Sequence, residues 1–332
     1  MDDASENPEI VSRFEKLDFA SLWKGREKVD SLEKIVLSSF LGRSDCSRVL
    51  ELGTGNGRLT SIVQQYAKQY VGCDINKTFL LETKSKSHLK DAIFIASNLY
   101  HLPFTDHSFS CIVMIRVFNF VSQPIHVLRE LSRLLVPGGF LLISINPKPS
   151  IATLVDDIKY HVFKSEEKLN KAKNVTFSKS IISEVHPASS PTFAFKRKFI
   201  EELFRMNNLS KCMKISSGME DYSLIERMPV KFFLEVGILF NFLPLFPTTF
   251  FLLQKKSDHA DRLPDIHQIL KCPKCGSKIT LQDGLPVHTC RECSTEYIVD
   301  NEILDMTHIP ADAKIANEGK WVIGRRNQER VR

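Results

Sequence analysis

A chain of 332 residues, 43% hydrophobic and 25% charged, is long enough for one sizeable α/β domain plus a small second module. The composition excludes the disordered and fibrous classes. A net charge of +6 permits contact with an anionic partner without demanding one.

Residues 1–10 are acidic and polar and lack the apolar core of a secretion signal, so a cytoplasmic location is expected, with residues 1–46 read as an N-terminal helical cap. From 47 onward, short apolar runs alternate with amphipathic stretches. Arg48–Leu52 reads as a strand that runs into a glycine cluster, and Leu59–Lys68 as a helix with Ile62, Val63 and Tyr66 on one face. Tyr70–Cys73, Ala92–Ala96 and Cys111–Ile115 read as three further strands. His126–Leu135 has helical apolar spacing, Pro137-Gly138-Gly139 is expected to stop that helix, and Phe140–Ile145 follows as a fifth strand. Continuous apolar strands separated by helices indicate a parallel sheet covered on both faces, hence a doubly wound α/β fold. Farther on, Ile151–Lys173 and Phe199–Met206 read as helices, and Thr249–Leu253 as the strand that closes the domain at about residue 257. The uncharged stretch Val236–Gln254 has nearly the length of a membrane span. Pro244, Pro247 and several polar residues interrupt it, so no span is expected.

The first strand ends in Glu51-Leu52-Gly53-Thr54-Gly55-Asn56-Gly57. Glycines at alternate positions let the backbone turn tightly and let a ligand approach it. The loop stands at the carboxyl end of the first strand, where open α/β sheets bind ligands. A dinucleotide fingerprint requires a sixth-position glycine, which is Arg58 here. The GxGxG spacing behind Glu51 instead resembles motif I of the class I S-adenosylmethionine-dependent methyltransferases. Asp74 ends the second strand, where that family places an acid on the ribose hydroxyls. Asn98-Leu99, followed by Tyr100-His101-Leu102-Pro103-Phe104, resembles its D-x-x-x-L-P-F segment, with Asn98 in place of the acid that meets the adenine amine. Arg133-Leu134-Leu135-Val136-Pro137-Gly138-Gly139 is similar to its R-x-L-x-P-G-G signature. The resemblance implies a mostly parallel seven-stranded sheet over residues 47–257. It further implies that Glu51, Gly53, Thr54, Gly55, Gly57, Asp74, Ile75, Asn98 and Leu99 hold S-adenosylmethionine.

The acceptor is less constrained. Methyl transfer requires positioning and exclusion of water rather than a universal catalytic group, so no catalytic residue is assigned. The segment after the fourth strand reads Arg116-Val117-Phe118-Asn119, unlike the N/D-P-P-aromatic motif of base-amine methylases, and Cys111 sits in a buried strand, unlike a cytosine methylase nucleophile. His101, Asp106, His107 and His126 are candidate bases, although each is more simply explained as an ordinary hydrogen-bonded residue. Residues 150–248 would form an acceptor lid, as in the quinone- and lipid-methylating relatives this domain resembles.

Eight cysteines include two CxxC pairs, Cys272-Pro273-Lys274-Cys275 and Cys290-Arg291-Glu292-Cys293, separated by 14 residues. Such knuckles aim four thiolates at one point, which points to a closed structural zinc site within a β-rich ribbon over residues 265–310. Gly276 and Gly284 suit its turns, and Ile279–Leu281 and Glu296–Val299 its strands. The segment resembles the zinc ribbons of the small activator protein that partners several archaeal and eukaryotic methyltransferases, and those fused to a bacterial ribosomal-RNA methyltransferase. That likeness favours RNA or protein as acceptor; the lid likeness favours an apolar small molecule. The tail over 311–332 carries six basic and three acidic residues. Ribbon and tail together offer contact to nucleic acid, although a solvated terminus is the simpler reading of the tail. A catalytically inactive scaffold whose ribbon docks a partner is the alternative to an enzyme.

Overall fold

The computed structural model describes residues 23, 25–121, 123–148, 182–184, 193–217, 229–232, 235, 248–257, 262–282 and 284–307. The expected helix over Ile151–Lys173, much of the expected acceptor lid and the basic tail lie outside these residues. Helix α1 (Glu27–Leu41) precedes strand β1 (Arg48–Leu52), which is followed by α2 (Thr60–Tyr66), β2 (Gln69–Asp74), α3 (Lys77–Ser85), β3 (Ile93–Ala96) and β4 (Phe109–Met114). Next come α4 (Pro124–Leu134), β5 (Leu135–Ile145) and a small three-stranded sheet of β6 (Pro147–Lys148), β7 (Ile182–Glu184) and β8 (Phe193–Lys196). Helix α5 (Arg197–Met206) leads to β9 (Leu209–Ser217) and β10 (Thr248–Lys255).

The mixed α/β fold expected from the alternating pattern is present, with seven strands in the order β3-β2-β1-β4-β5-β10-β9. The first five are parallel, and β10 and β9 run antiparallel to their neighbours. Every side chain of β1 and β4 is buried, because helices cover both faces. Val49, Cys111 and Val113 pack under Val36, Phe40 and Val63 of α1 and α2. Leu50, Leu52, Ile112 and Met114 pack on the other face, with Leu128 and Leu131 of α4 and Phe204 of α5.

Several details differ from the sequence reading. In α2 the buried side chains are Thr60, Val63 and Gln64, and Tyr66 is exposed. Pro137-Gly138-Gly139 does not separate helix from strand. The helix ends at Leu134, where Lys255 Nζ donates to the carbonyls of Ser132 and Leu135 at 2.8 and 2.9 Å, and β5 begins at once. The two glycines lie inside β5 where its register against β4 shifts, and a Cβ on Gly139 would stand 2.9 Å from the Val136 carbonyl. Cys46 and Cys111, which the sequence leaves isolated, belong to one buried apolar cluster.

The cysteine segment extends the same sheet. Its strands are β11 (Leu270–Lys271), β12 (Lys278–Ile279), β13 (Val287–Thr289), β14 (Glu296–Asp300) and β15 (Ile303–Asp305). Strand β15 pairs parallel to β3, with Ile303, Leu304 and Asp305 opposite Phe94, Ile95 and Ala96, so the central sheet runs to ten strands, ending β13-β14-β15-β3. Backbone bonds from Thr105 N–H to the Ile269 carbonyl (2.7 Å), from Lys271 N–H to Pro103 (3.0 Å) and from Met306 N–H to Ala96 (2.8 Å) reinforce the join. Ile269, Leu270, Cys272, Ile279 and Tyr297 belong to one apolar cluster with Leu102, Phe104 and Phe109. Ribbon and domain therefore share a core.

Because that core is shared, Leu270→Ala is expected to destabilise the whole molecule by about 2–5 kcal/mol, the usual cost of emptying a buried leucine site. Urea unfolding followed by circular dichroism should show one transition at lower denaturant; an unshifted main transition with a separate early step would mean that the ribbon unfolds alone.

Candidate cofactor cleft and cysteine centre

The order β2-β1-β4 makes β1 the point at which successive connections turn to opposite sides of the sheet, and the carboxyl ends of the strands there are where open α/β sheets form their ligand crevice. The glycine loop lines it. Gly53, Gly55 and Gly57 all have positive φ, at +70°, +53° and +81°. A Cβ on Gly53 would lie 2.3 Å from Val117 Cγ2, and one on Gly57 would crowd Thr83 at 3.2 Å, whereas one on Gly55 would meet nothing within 4 Å. Gly53 and Gly57 thus seat the loop against its neighbours, and Gly55 faces open space. The loop is pinned to the end of β2: Gly53 N–H donates to the Cys73 carbonyl at 2.7 Å and Gly55 N–H to Asp74 Oδ2 at 2.8 Å. Thr83 Oγ1, on α3, donates to the Gly55 carbonyl at 2.8 Å.

Asp74 stands beside that opening. Its Oδ1 accepts the Asn76 N–H at 3.0 Å, and Asn76 in turn caps α3. Burial pushes the Asp74 carboxyl up, opposed by the N–H groups of Asn76, Gly55 and Ile75, and it stays above its ordinary value. The parallel register places Ala96 beside Asp74, and the Ser97 N–H donates to the Asp74 carbonyl at 3.0 Å. Asn98 and Leu99 follow directly, so they and Ile75 belong to the same end of the sheet. Asn98 Oδ1 accepts the Tyr100 N–H at 3.0 Å, fixing the turn.

Glu51 takes a different position. It shares the face of Val49, only 4% exposed, where its Oε2 accepts from Tyr70 OH at 2.6 Å and Thr60 Oγ1 at 2.9 Å. It underpins the loop from the helical layer, while Gly53, Thr54, Gly55, Gly57, Asp74, Ile75, Asn98 and Leu99 gather along the crevice. Asp106 and His107 lie before β4, about 17 Å from its carboxyl end at ~3.3 Å per residue, and Asp106 pairs with Arg133 at 2.7 Å. They stand apart from the crevice. Among the residues missed in sequence, Tyr70, Thr60, Thr83 and Val117 support the loop; each reads in sequence as ordinary strand, helix or core, and nothing local marks it.

The four cysteine sulfurs lie within 4.8 Å of one another, with Cys272–Cys293 at 3.6 Å and Cys275–Cys290 at 3.5 Å. These separations are far beyond a disulfide bond and near the ~3.8 Å edge of a tetrahedron with ~2.3 Å metal–sulfur bonds. The donor set therefore fits a metal ion such as zinc. Tyr297 OH lies 2.9 Å from Cys272 Sγ, and the backbone N–H groups of Gly276 and Ser294 close the two knuckles onto the carbonyls of Cys272 and Cys290. Among the described residues no helix is long and apolar enough to cross a membrane, and the end of the uncharged 236–254 stretch is strand β10.

Residues 50–143 match the family model of a methyltransferase domain. The chain is 35% identical over 107 residues to a demethylmenaquinone methyltransferase of Chlamydia trachomatis, a match covering 32% of this chain and 46% of that protein. It thus spans about half the length of the curated relatives it matches. Among solved structures it is similar to a SAM-dependent methyltransferase of Leishmania major, at 12% identity and a TM-score of 0.51 over 76% of this chain and 87% of that one. It is also similar to a structure of the complex between the Haloferax volcanii Trm112 methyltransferase activator and a methyltransferase, at 17% identity and a TM-score of 0.48 over 76% and 100% of the two chains. The fold is the Rossmann-like α/β fold of SAM-dependent methyltransferases.

Burial raises the Glu51 carboxyl from its ordinary 4.5 to about 7, against the lowering hydrogen bonds of Tyr70 and Thr60. A carboxyl with a raised folded-state pKa costs stability as pH climbs from about 4.5 to about 7, and the cost then stays constant. Glu51→Gln should therefore gain on the native protein across that window, measured as the difference in urea midpoint between pH 5 and pH 8. A difference that does not change with pH would mean that Glu51 is charged throughout.

Proposed function

We propose that the chain is an S-adenosylmethionine-dependent methyltransferase with a structural zinc ribbon. The observation that carries this reading is the junction of Gly55 and Asp74: a glycine whose missing side chain leaves open space, bonded to a carboxylate at the end of the adjacent strand. A cofactor with neighbouring ribose hydroxyls suits that pair, because a carboxylate at the end of β2 can accept from a hydroxyl beside a backbone that leaves room for the sugar. Asn98 and Leu99 would flank the adenine, Ile75 would pack against the sugar side, and Gly53 to Gly57 would present backbone to the amino-acid portion. Glu51 acts one layer below, holding the loop. S-adenosylmethionine supplies a methyl group already activated for in-line displacement by its sulfonium. The protein's part is to orient the acceptor and keep water out.

For the acceptor we favour an apolar small molecule. The demethylmenaquinone methyltransferase names of the relatives support that choice. The ribbon's Ile269, Leu270, Ile279 and Tyr297 pack into this chain's own core, which gives it a structural role within the chain. We assign the zinc to Cys272, Cys275, Cys290 and Cys293, the methyltransferase domain to residues 47–257 and the ribbon to 265–310, in a cytoplasmic protein.

Calorimetric titration of the full, zinc-loaded chain with S-adenosylhomocysteine tests the reading. Micromolar binding is expected, weakened at least about tenfold in Asp74→Ala, as befits loss of charge-assisted hydrogen bonds. Gly55→Ala should stay folded, at a cost of about 1–2 kcal/mol for its left-handed backbone, yet lose affinity because the new methyl enters the crevice. No binding by folded native protein leaves the scaffold reading in its place. With turnover in hand, removal of residues 311–332 separates acceptor classes: activity on a small molecule should persist, whereas an RNA enzyme would lose affinity and its steep salt dependence.

A further inference from the structure

One arginine follows the glycine loop and another follows β4, and one buried carboxylate holds both. Arg58 follows Gly57 at the exit of the glycine loop. Arg116 follows β4 and immediately precedes Val117, whose methyl fills the space at Gly53. Glu33, on α1 and 1% exposed, accepts from Arg58 Nη2 on Oε2 at 2.6 Å and from Arg116 Nε on Oε1. Each oxygen of a single carboxylate thus holds one arginine.

The two arginines are themselves anchored. Arg58 Nη1 pairs with Asp30 at 2.8 Å, one turn earlier on α1, and its guanidinium carbon lies 3.5 Å from the centre of the Trp23 ring. Arg116 has a φ of +62°, a left-handed conformation that a non-glycine residue keeps only when its surroundings enforce it. Here the enforcing contacts are visible. The Arg116 N–H donates to Ser144 Oγ at 2.7 Å and Nη1 donates to Thr248 Oγ1 at 2.9 Å, while Glu33 takes Nε. The backbone so fixed is what sets Val117 against the glycine loop. Removal of Glu33 would leave two partly buried guanidinium groups without their common counter-charge, free to shift apart by mutual repulsion.

We infer that Glu33 is a positioning residue for cofactor binding, acting through Arg58 and Arg116 to hold the glycine loop and the segment after β4 at a fixed separation. This rests on the cofactor reading given above. It extends that site to helix α1, which contributes none of the residues the glycine-loop motif marks.

The test is calorimetric titration of S-adenosylhomocysteine into full-length, zinc-loaded native protein and variants, at a temperature where circular dichroism shows each to be folded. Glu33→Gln should weaken binding roughly tenfold, and Arg116→Gln by a similar factor. The double variant should lose no more than the worse single one, since both substitutions break one linkage. Val36→Ala, a packing loss on the same helix away from the clamp, should lower the melting temperature and leave affinity unchanged. Should Glu33→Gln not fold, Arg116→Lys keeps the charge but not the fork that reaches Glu33 and Thr248 together, and it should lose several-fold in affinity. Native affinity in Glu33→Gln or in Arg116→Lys, additive losses in the double variant, or a Val36→Ala loss equal to that of Glu33→Gln would each overturn the inference and leave α1 a merely structural helix. Failure of the native protein to bind would instead overturn the cofactor reading beneath it.

Discussion

A strand at the edge of a parallel sheet presents a row of unpaired N–H and carbonyl groups, and the rest of this molecule is arranged around how that edge is closed. Without the cysteine segment, β3 would be such a strand, and Asn98 follows its carboxyl end. Pairing with β15 completes its backbone bonding from Phe94 to Ala96 and extends the sheet through β14 and β13. The ion pair between Lys77 at the start of α3 and Asp305 at the end of β15, at 2.8 Å, ties the same join to the helix that follows Asp74. The cysteine segment and the strands of the glycine loop therefore belong to one sheet, joined through β15 and β3.

Buried charge is the second organising feature. Glu51 and Glu33 are both almost fully enclosed, and the surroundings treat them differently. Glu51 is met by two hydroxyls and no direct cation, so burial prevails and the proton is held more tightly. Glu33 is met by two guanidinium groups and serves as an anion between them. One acid supports the loop by neutral hydrogen bonds from below; the other joins two arginines. A carboxylate's chemistry follows its partners more than its place in a motif.

The sequence made much of this protein legible by itself. Apolar runs bounded by helical spacing located β1 to β5, because a strand buried on both faces is built mostly of apolar residues. The alternate glycines were legible because a tight turn with positive φ admits few residue types, and Asp74 through its place in the resembled motif. The two CxxC pairs were legible because four thiolates at that spacing have little other use in a short β-rich segment. Each of these is a local requirement, expressed within a few residues of chain.

What the tertiary structure alone decided are the meetings between distant parts. Glu33 lies 25 and 83 positions from the arginines it joins. Tyr70 lies 19 positions from Glu51, and Ile303 to Asp305 lie about two hundred from the strand they extend. A carboxylate on an amphipathic helix, a tyrosine in a strand and a short apolar run at the end of a ribbon each satisfy their own element in many ways. Only the packed sheet, by excluding water from all of them together, makes one set of partners lower in free energy than the rest.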